Sequence, residues 1–176
     1  DVSIIPYFSN GFTETYDVLI VFDVPVIRKE TLKGIDRHIQ SGKGAILMLD
    51  PFQRMNSANA ALSIKPSEDG QINSIEDLLR SYGLDFTNNK IVGDFKSAAT
   101  VESSTGRNFS YPYWLQIKDN NISKKHAVSD KLRELLFAEV GFFETKKKNI
   151  EVQPIILTSD ETSLLGKREL REKSTE

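Results

Sequence analysis

The spacing of apolar and polar residues changes along this chain, and the changes mark out its elements. Val18, Leu19, Ile20, Val21 and Phe22 form one uninterrupted apolar run, which predicts a strand over 17–22 buried on both faces. Over 28–41 the spacing becomes helical: Leu32, Ile35 and Ile39 fall on one side with charged residues between them. Gly42 follows where a left-handed C-cap is wanted. Ala45, Ile46, Leu47, Met48 and Leu49 make a second apolar strand, ended by Asp50-Pro51. Strand, helix and strand within about 35 residues constitute a βαβ unit, with parallel strands and a right-handed crossover. Val2, Ser3, Ile4 and Ile5 suggest a further strand in front of it.

The pattern then loosens. Residues 53–73 are polar and Asn-rich, with a short helix suggested around 56–62. Residues 74–81 predict a helix capped by Ser74, with Asp77 three positions on, Ile75, Leu78 and Leu79 facing inward, and Gly83 ending it. Lys90, Ile91 and Val92 suggest a strand, and the Ser-, Thr- and Gly-rich stretch 94–110 either an irregular excursion or an edge hairpin. Ser129-Asp130 opens a predicted helix through Phe137, carrying Leu132, Leu135 and Leu136. A last strand is predicted over 150–157, at an edge or bulged, because Pro154 cannot donate to a ladder. These elements compose one α/β domain over 1–165, followed by a charged tail or linker over 166–176 that has too little apolar surface to order itself.

Composition narrows the function classes. With 39% hydrophobic and 27% charged residues among 176, the chain can bury a core without staples and is not wholesale disordered. Lys and Arg total 23 against 25 Asp and Glu, so no basic excess exists to neutralise a nucleic-acid backbone. The absence of cysteine removes disulfides, Cys-based zinc sites and thiol nucleophiles. Apolar runs of five residues fall far short of the about 20 that a membrane span needs. The opening Asp1-Val2, without Met or a leader pattern, leads us to expect a segment of a longer protein.

Candidate chemistry is sparse. Asp50 and Phe52 follow a buried strand at its carboxyl end, where open parallel sheets place ligands, and Asp23 ends the neighbouring strand. The same residues also suit a simple strand-ending turn, with Asp50 bonding local backbone and Phe52 plugging the sheet. His38 on the first helix is expected to be partly exposed, and His126 lies in a loop. No Gly-x-Ser-x-Gly elbow accompanies either histidine, and no phosphate-binding glycine motif occurs. Gly42-Lys43-Gly44 stands at the wrong end of a helix for anion binding. Tyr111, Tyr113 and Trp114 concentrate aromatic surface that could stack on a sugar, pack on a partner or cover the core. Lys146, Lys147 and Lys148 read as a solvated turn.

Several stretches, in order, resemble the auxiliary component of gliding-motility-associated ABC transport systems. Tyr16 to Val21 is similar to that family's first strand, 27–40 to its helix, and 42–52 to its Gly-rich turn, second strand and Asp-Pro-Phe ending. Leu78-Leu79 with Tyr82-Gly83-Leu84 resembles its next helix and Tyr-Gly step, His126-Ala127-Val128-Ser129 its His-Pro-Ile-Thr segment, and 154–159 its Pro-Leu-Leu-x-Thr-Ser segment. Arg28 replaces a capping Ser, Ala127 a proline, and a Trp usual near Leu164 is missing.

The resemblance implies a Rossmann-like, three-layer α/β domain with a mostly parallel sheet, similar to class I glutamine amidotransferase domains. It also implies an extracytoplasmic, periplasmic position on a bacterial inner membrane, held by transmembrane helices outside this segment, and ABC permease and ATPase subunits as partners. Glutamine hydrolysis by a cysteine nucleophile is excluded here, since there is no cysteine. The expectation is therefore a non-enzymatic auxiliary domain without cofactor or metal. It would bind a partner, a small molecule or envelope polysaccharide around Asp23, Asp50, Phe52 and Thr158, with Tyr113 and Trp114 as aromatic contacts. The alternatives are an envelope-sugar hydrolase using Asp23 and Asp50 as a carboxylate pair, and a purely structural adaptor resembling the amidotransferase-like domain of intraflagellar transport proteins.

Overall fold

The structure, a computed structural model, describes residues 1–6, 9–22, 27–51, 74–87, 89–146, 150–166 and 169. In chain order its elements are β1 (Val18–Phe22), α1 (Lys29–Gln40), β2 (Gly44–Met48), α2 (Ile75–Tyr82), β3 (Leu84–Phe86), β4 (Lys90–Asp94), β5 (Ala98–Glu102), β6 (Asn108–Lys118), β7 (Glu134–Ala138), β8 (Phe143–Thr145) and β9 (Thr162–Gly166). Backbone contacts divide the chain into two compact units, Asp1–Phe86 with Phe143–Ile150, and Thr87–Phe142 with Glu151–Glu176.

The first unit is built on the βαβ step. β1 and β2 pair in parallel, Ile20 opposite Ile46. α1 buries Leu32 and Ile35 in the same core as Leu19 and Val21 of β1 and Ile75, Leu78 and Leu79 of α2. Gly42 adopts φ +78°, the left-handed conformation that lets the chain leave α1 and enter β2. α2 carries the cap its sequence predicts: the Asp77 N–H donates to Ser74 Oγ at 3.0 Å, and Gly83 ends the helix at φ +100°. His38, expected to be partly exposed, is buried, its Nε2 2.8 Å from the Gly44 carbonyl oxygen. β3 and β8 close the unit as an antiparallel pair, with the rings of Phe86 and Phe143 tilted by 42° and their centroids 5.1 Å apart.

The second unit is antiparallel throughout its described strands: β4 pairs with β9, and β6 lies between β5 and β7. Leu115, Ile117 and Ile122 form its apolar centre, with Leu132, Leu135 and Phe137 packed on them. Pro112 lies in central strand β6, a position normally closed to proline. A register shift explains its presence. Leu115 stands opposite Ala98 and Tyr111 opposite Ala99, so residues 112–114 have no partner in β5 and Pro112 falls in that bulge, while Trp114 keeps its place opposite Ala138 of β7.

This architecture overturns the expected fold class. One parallel pair exists; every other ladder is antiparallel, and α1 and α2 are the only α-helices among the described residues. The Rossmann-like, three-layer, amidotransferase-like architecture is therefore not the fold of this chain. The βαβ unit is correctly legible; the error came from extending its parallel sheet to the C-terminal half. There the predicted helix over 129–137 is instead a turn followed by β7. Leu135 and Phe137 pack on the core at period two while Leu136 is exposed, and a helix would have put Leu132, Leu135 and Leu136 on one face. Ser129 Oγ donates to the Ser123 and His126 carbonyls, closing a turn rather than capping a helix. The strand expected over 150–157 is reduced to a single bridge, Ile156 with Ile122, and Val2 to Ile5 form no strand. Residues 94–110 include an ordered hairpin, β5 with β6. The helix suggested around 56–62 lies outside the described residues.

Candidate functional site

A parallel sheet normally has both faces covered, because its crossovers place helices on them. Here α1 covers one face of β1–β2. The other presents Val18, Ile20 and Phe22 from β1 and Ile46 and Met48 from β2, each 46–65% exposed. The alternation is strict along β1, Leu19 and Val21 being buried between exposed neighbours. Five large apolar side chains on adjacent strands form a contiguous patch of the kind that marks an interaction surface.

The outer edge of β1 is open as well: among the described residues, β1 pairs with β2 and no other strand. Off that edge lies a cleft of about 630 Å³, lined by residues 18–22, by Ile27 and by the extended segment carrying Val2, Ile4 and Ile5. Phe12, Tyr16 and, on α1, Thr31 and Ile35 complete its lining, so the chain's own elements wall it on several sides.

The predicted site residues are distributed otherwise. Asp23 and Phe52 lie outside the described residues. Asp50 is half-buried just beyond β2, in the first unit, and Thr158 is exposed in the second. Tyr113 and Trp114 do come together, through Tyr111, whose ring meets theirs edge-on at 5.6 and 6.2 Å. Tyr113 is half-buried over Gly93 of β4, and Trp114 is 38% exposed. Lys147 and Lys148 are outside the described residues, while Lys146 pairs with Glu144 at 2.9 Å.

Sequence reasoning missed Asp94 at the end of β4, the one fully buried carboxylate among the described residues. Its Oδ1 accepts from Ser159 Oγ at 2.6 Å, Lys96 N–H at 3.0 Å and Ser97 N–H at 3.1 Å, and its Oδ2 accepts from Ser159 N–H at 2.7 Å. Burial alone would raise its pKa, but the hydrogen bonds from Ser159 and Ser97 outweigh burial and hold the carboxyl below the usual range. An acid kept ionised with its acceptor sites occupied is a staple joining two loops, not a general acid or base. Ser159 Oγ lacks a base to activate it, since it donates to Asp94 and accepts from Glu161 N–H at 3.1 Å. The imidazoles are engaged elsewhere, His38 with Gly44 and His126 Nδ1 with the Val128 N–H at 3.2 Å. Asp94-Phe95-Lys96-Ser97 carries a local Asx-turn signal, but Ser159 is 65 positions away and nothing local points to it.

No group of three or more His, Asp or Glu side chains able to hold a metal occurs among the described residues. Among the described residues, the face of β1–β2 gathers five exposed apolar side chains on two paired strands. Comparison with curated proteins finds no match, and neither does comparison with solved structures. A family model described as "ABC-type uncharacterized transport system" matches residues 1–174, and on that match the chain belongs to this family of auxiliary transport components.

Proposed function

We propose that this chain is a non-enzymatic, partner-binding auxiliary domain that assembles with the permease and ATPase subunits of an ABC transport system on the extracytoplasmic side of the membrane. The observation that carries the reading is the uncovered apolar face made by Val18, Ile20, Phe22, Ile46 and Met48. Water-exposed at this density, such a face destabilises the isolated chain, and contact with another protein removes that cost. The family supports the identity of the partners as transporter components. No helix among the described residues is long and apolar enough to cross a membrane.

The test is cross-linking of the protein in native membranes followed by mass spectrometry of its attachments. The wild-type chain should capture a permease and an ATPase, and Ile46→Lys with Met48→Lys should lose them while the far-ultraviolet spectrum is retained. Capture unchanged by both lysines, or capture of neither subunit, refutes this use of the face. Turnover of an envelope sugar by the purified chain would move the assignment to the hydrolase reading.

A further inference from the structure

Ahead of β1, residues 9–16 form neither helix nor strand, and the bend at their start contains the chain's only Asn-Gly pair, Asn10-Gly11. This stretch is held on α1 and its N-cap residue. Thr31 Oγ1 donates to the Ser9 carbonyl at 2.8 Å and accepts from the Gly11 N–H at 3.2 Å. The Arg28 guanidinium donates to Asn10 Oδ1, and Phe12 packs on Gly34, where an added Cβ would stand 2.8 Å from Phe12 Cε1. Position 11 is closed to a side chain: Gly11 stands at φ +86°, and a Cβ there would lie 3.1 Å from the Glu30 carbonyl oxygen. Position 10 is under no such constraint. Asn10 is exposed, and an aspartate there would accept the Arg28 bond more strongly, as a charged acceptor. Asparagine brings one property that aspartate lacks, an amide that can leave as ammonia.

We propose that Asn10-Gly11 is a self-modifying site, at which the folded chain converts Asn10 to aspartate and isoaspartate with Arg28 as the electrophilic aid. The Gly11 backbone nitrogen attacks Asn10 Cγ. A C–N bond forms and closes a cyclic imide, the Cγ–Nδ2 bond breaks, and the proton of the Gly11 nitrogen leaves with the amide nitrogen as ammonia. Water then opens the imide. Attack at Cγ restores the ordinary backbone with aspartate at position 10, and attack at the main-chain carbonyl leaves the chain running through the side-chain carbon, as isoaspartate. Each conversion consumes a water, releases an ammonia and makes the formal charge of −2 more negative by a single carboxylate. Glycine puts no side chain in the way of its own nitrogen. Arg28 draws electrons from the amide carbonyl and neutralises the oxygen as the nitrogen adds. Because the stretch belongs to no helix or ladder among the described residues, the approach of Gly11 to Asn10 costs the bond to Thr31, which at 3.2 Å is at the long end of the range. The two products differ in effect. Aspartate keeps Arg28 and turns that contact into an ion pair. Isoaspartate lengthens the main chain by a methylene between Ser9 and Gly11, the two partners of Thr31, and so shifts Phe12, which lines the cleft beside β1.

The test is mass spectrometry of peptides from the folded chain, held at neutral and at mildly alkaline pH, with electron-transfer fragmentation to tell the two products apart. The peptide containing Asn10 should gain about 1 Da, as an amide becomes an acid. The gain should be faster at the higher pH, because the attacking nitrogen must give up its proton. Arg28→Met should slow it several-fold with the far-ultraviolet spectrum unchanged, and Arg28→Lys, which keeps the charge but not the guanidinium, should fall between. A folded chain that keeps its mass over a period in which the same chain in urea gains it overturns the proposal, since the fold then protects Asn10. Equal rates in wild type, Arg28→Met and Arg28→Lys overturn it as well, since the reaction would then belong to the dipeptide and not to the site.

Discussion

Removing the Asp94 carboxylate is the perturbation whose cost the structure specifies best. Asp94→Ala strands three backbone N–H donors, those of Lys96, Ser97 and Ser159, together with the Ser159 hydroxyl. Hydrogen bonds to a charged acceptor contribute about 1.5–3 kcal/mol each. They are not additive here, because a loosened loop admits water to the freed donors, so the expected loss is about 3–5 kcal/mol. Asp94→Asn keeps the shape and one carbonyl oxygen. With that oxygen in the Oδ1 position, its amide N–H₂ meets the Ser159 N–H, donor against donor, for a loss of about 2 kcal/mol. Trp114 is the only tryptophan and lies in the same unit, so urea denaturation followed by its fluorescence reports on this part of the chain. Acidity supplies a second readout. The folded pKa lies below that of a free aspartate, so the unfolded state binds the proton first as pH falls. The contribution is complete above about pH 5 and disappears as pH falls through the folded value. The gap between wild type and Asp94→Asn should accordingly be constant near neutrality and narrow below pH 4. A loss under about 1 kcal/mol for Asp94→Ala, or a gap that does not narrow in acid, would refute the staple.

Gly93 and Tyr82 test the packing of each unit. A Cβ on Gly93 would stand 2.8 Å from Tyr113 Cε1 and 3.0 Å from Ser163 Oγ, so Gly93→Ala should destabilise by about 1–3 kcal/mol, most of it recovered when Tyr113→Ala is added, as a double-mutant cycle by urea denaturation would show. Tyr82 is pushed up to about 12, chiefly by burial and further by its hydrogen bond to, and the charge of, Asp36. Absorbance titration at alkaline pH should show one tyrosine ionising last, and Tyr82→Phe should abolish that step. Since the unfolded tyrosine ionises near 10, this contribution is full below pH 10 and is lost between pH 10 and 12; a Tyr82→Phe chain with the same alkaline profile as wild type would contradict the assignment.

Local physics was legible in the sequence, and long-range pairing was not. The βαβ unit could be read because the change from a continuous apolar run to Leu32, Ile35 and Ile39 and back is a change of period, and Gly42 and Gly83 punctuate it with the positive φ they adopt. Ser74 and Asp77 fixed the start of α2 for the same reason, a bond spanning three residues. In 129–137 two periods compete, since Leu132, Leu135 and Leu136 fit a helix as Leu135 and Phe137 fit a strand. The choice is made by β6, whose Leu115 and Ile117 stand opposite Phe137 and Leu135. Asp94 was invisible as a site because two of its four donors come from Ser159, 65 positions away, and only the fold brings them to it. The aromatic run was rightly noticed at 111–115, but the bulge around Pro112 decides that Tyr113 packs down on Gly93 while Trp114 reaches solvent.

The two units differ in how their strands are paired and covered. In the second unit the strands are antiparallel, the buried carboxylate is saturated by its own chain, and the proline that would spoil a central strand sits in a bulge. Large apolar side chains reach solvent there too, Phe95, Val128 and Leu136 among them, but not as one face of a sheet pair. In the first unit a parallel pair of five-residue strands has one covered face and one apolar face in water, and among the described residues β1 pairs with β2 alone. Two-stranded sheets are marginal even with a covered face, and parallel pairing is slightly weaker per residue than antiparallel. Neither helix propensity nor turn chemistry requires Val18, Ile20, Phe22, Ile46 and Met48 all to be apolar; polar residues at those outward positions would leave the core on the α1 side unchanged. Their identity is accounted for once another polypeptide covers them, which is what an auxiliary component of a multi-subunit transporter would need a surface to do.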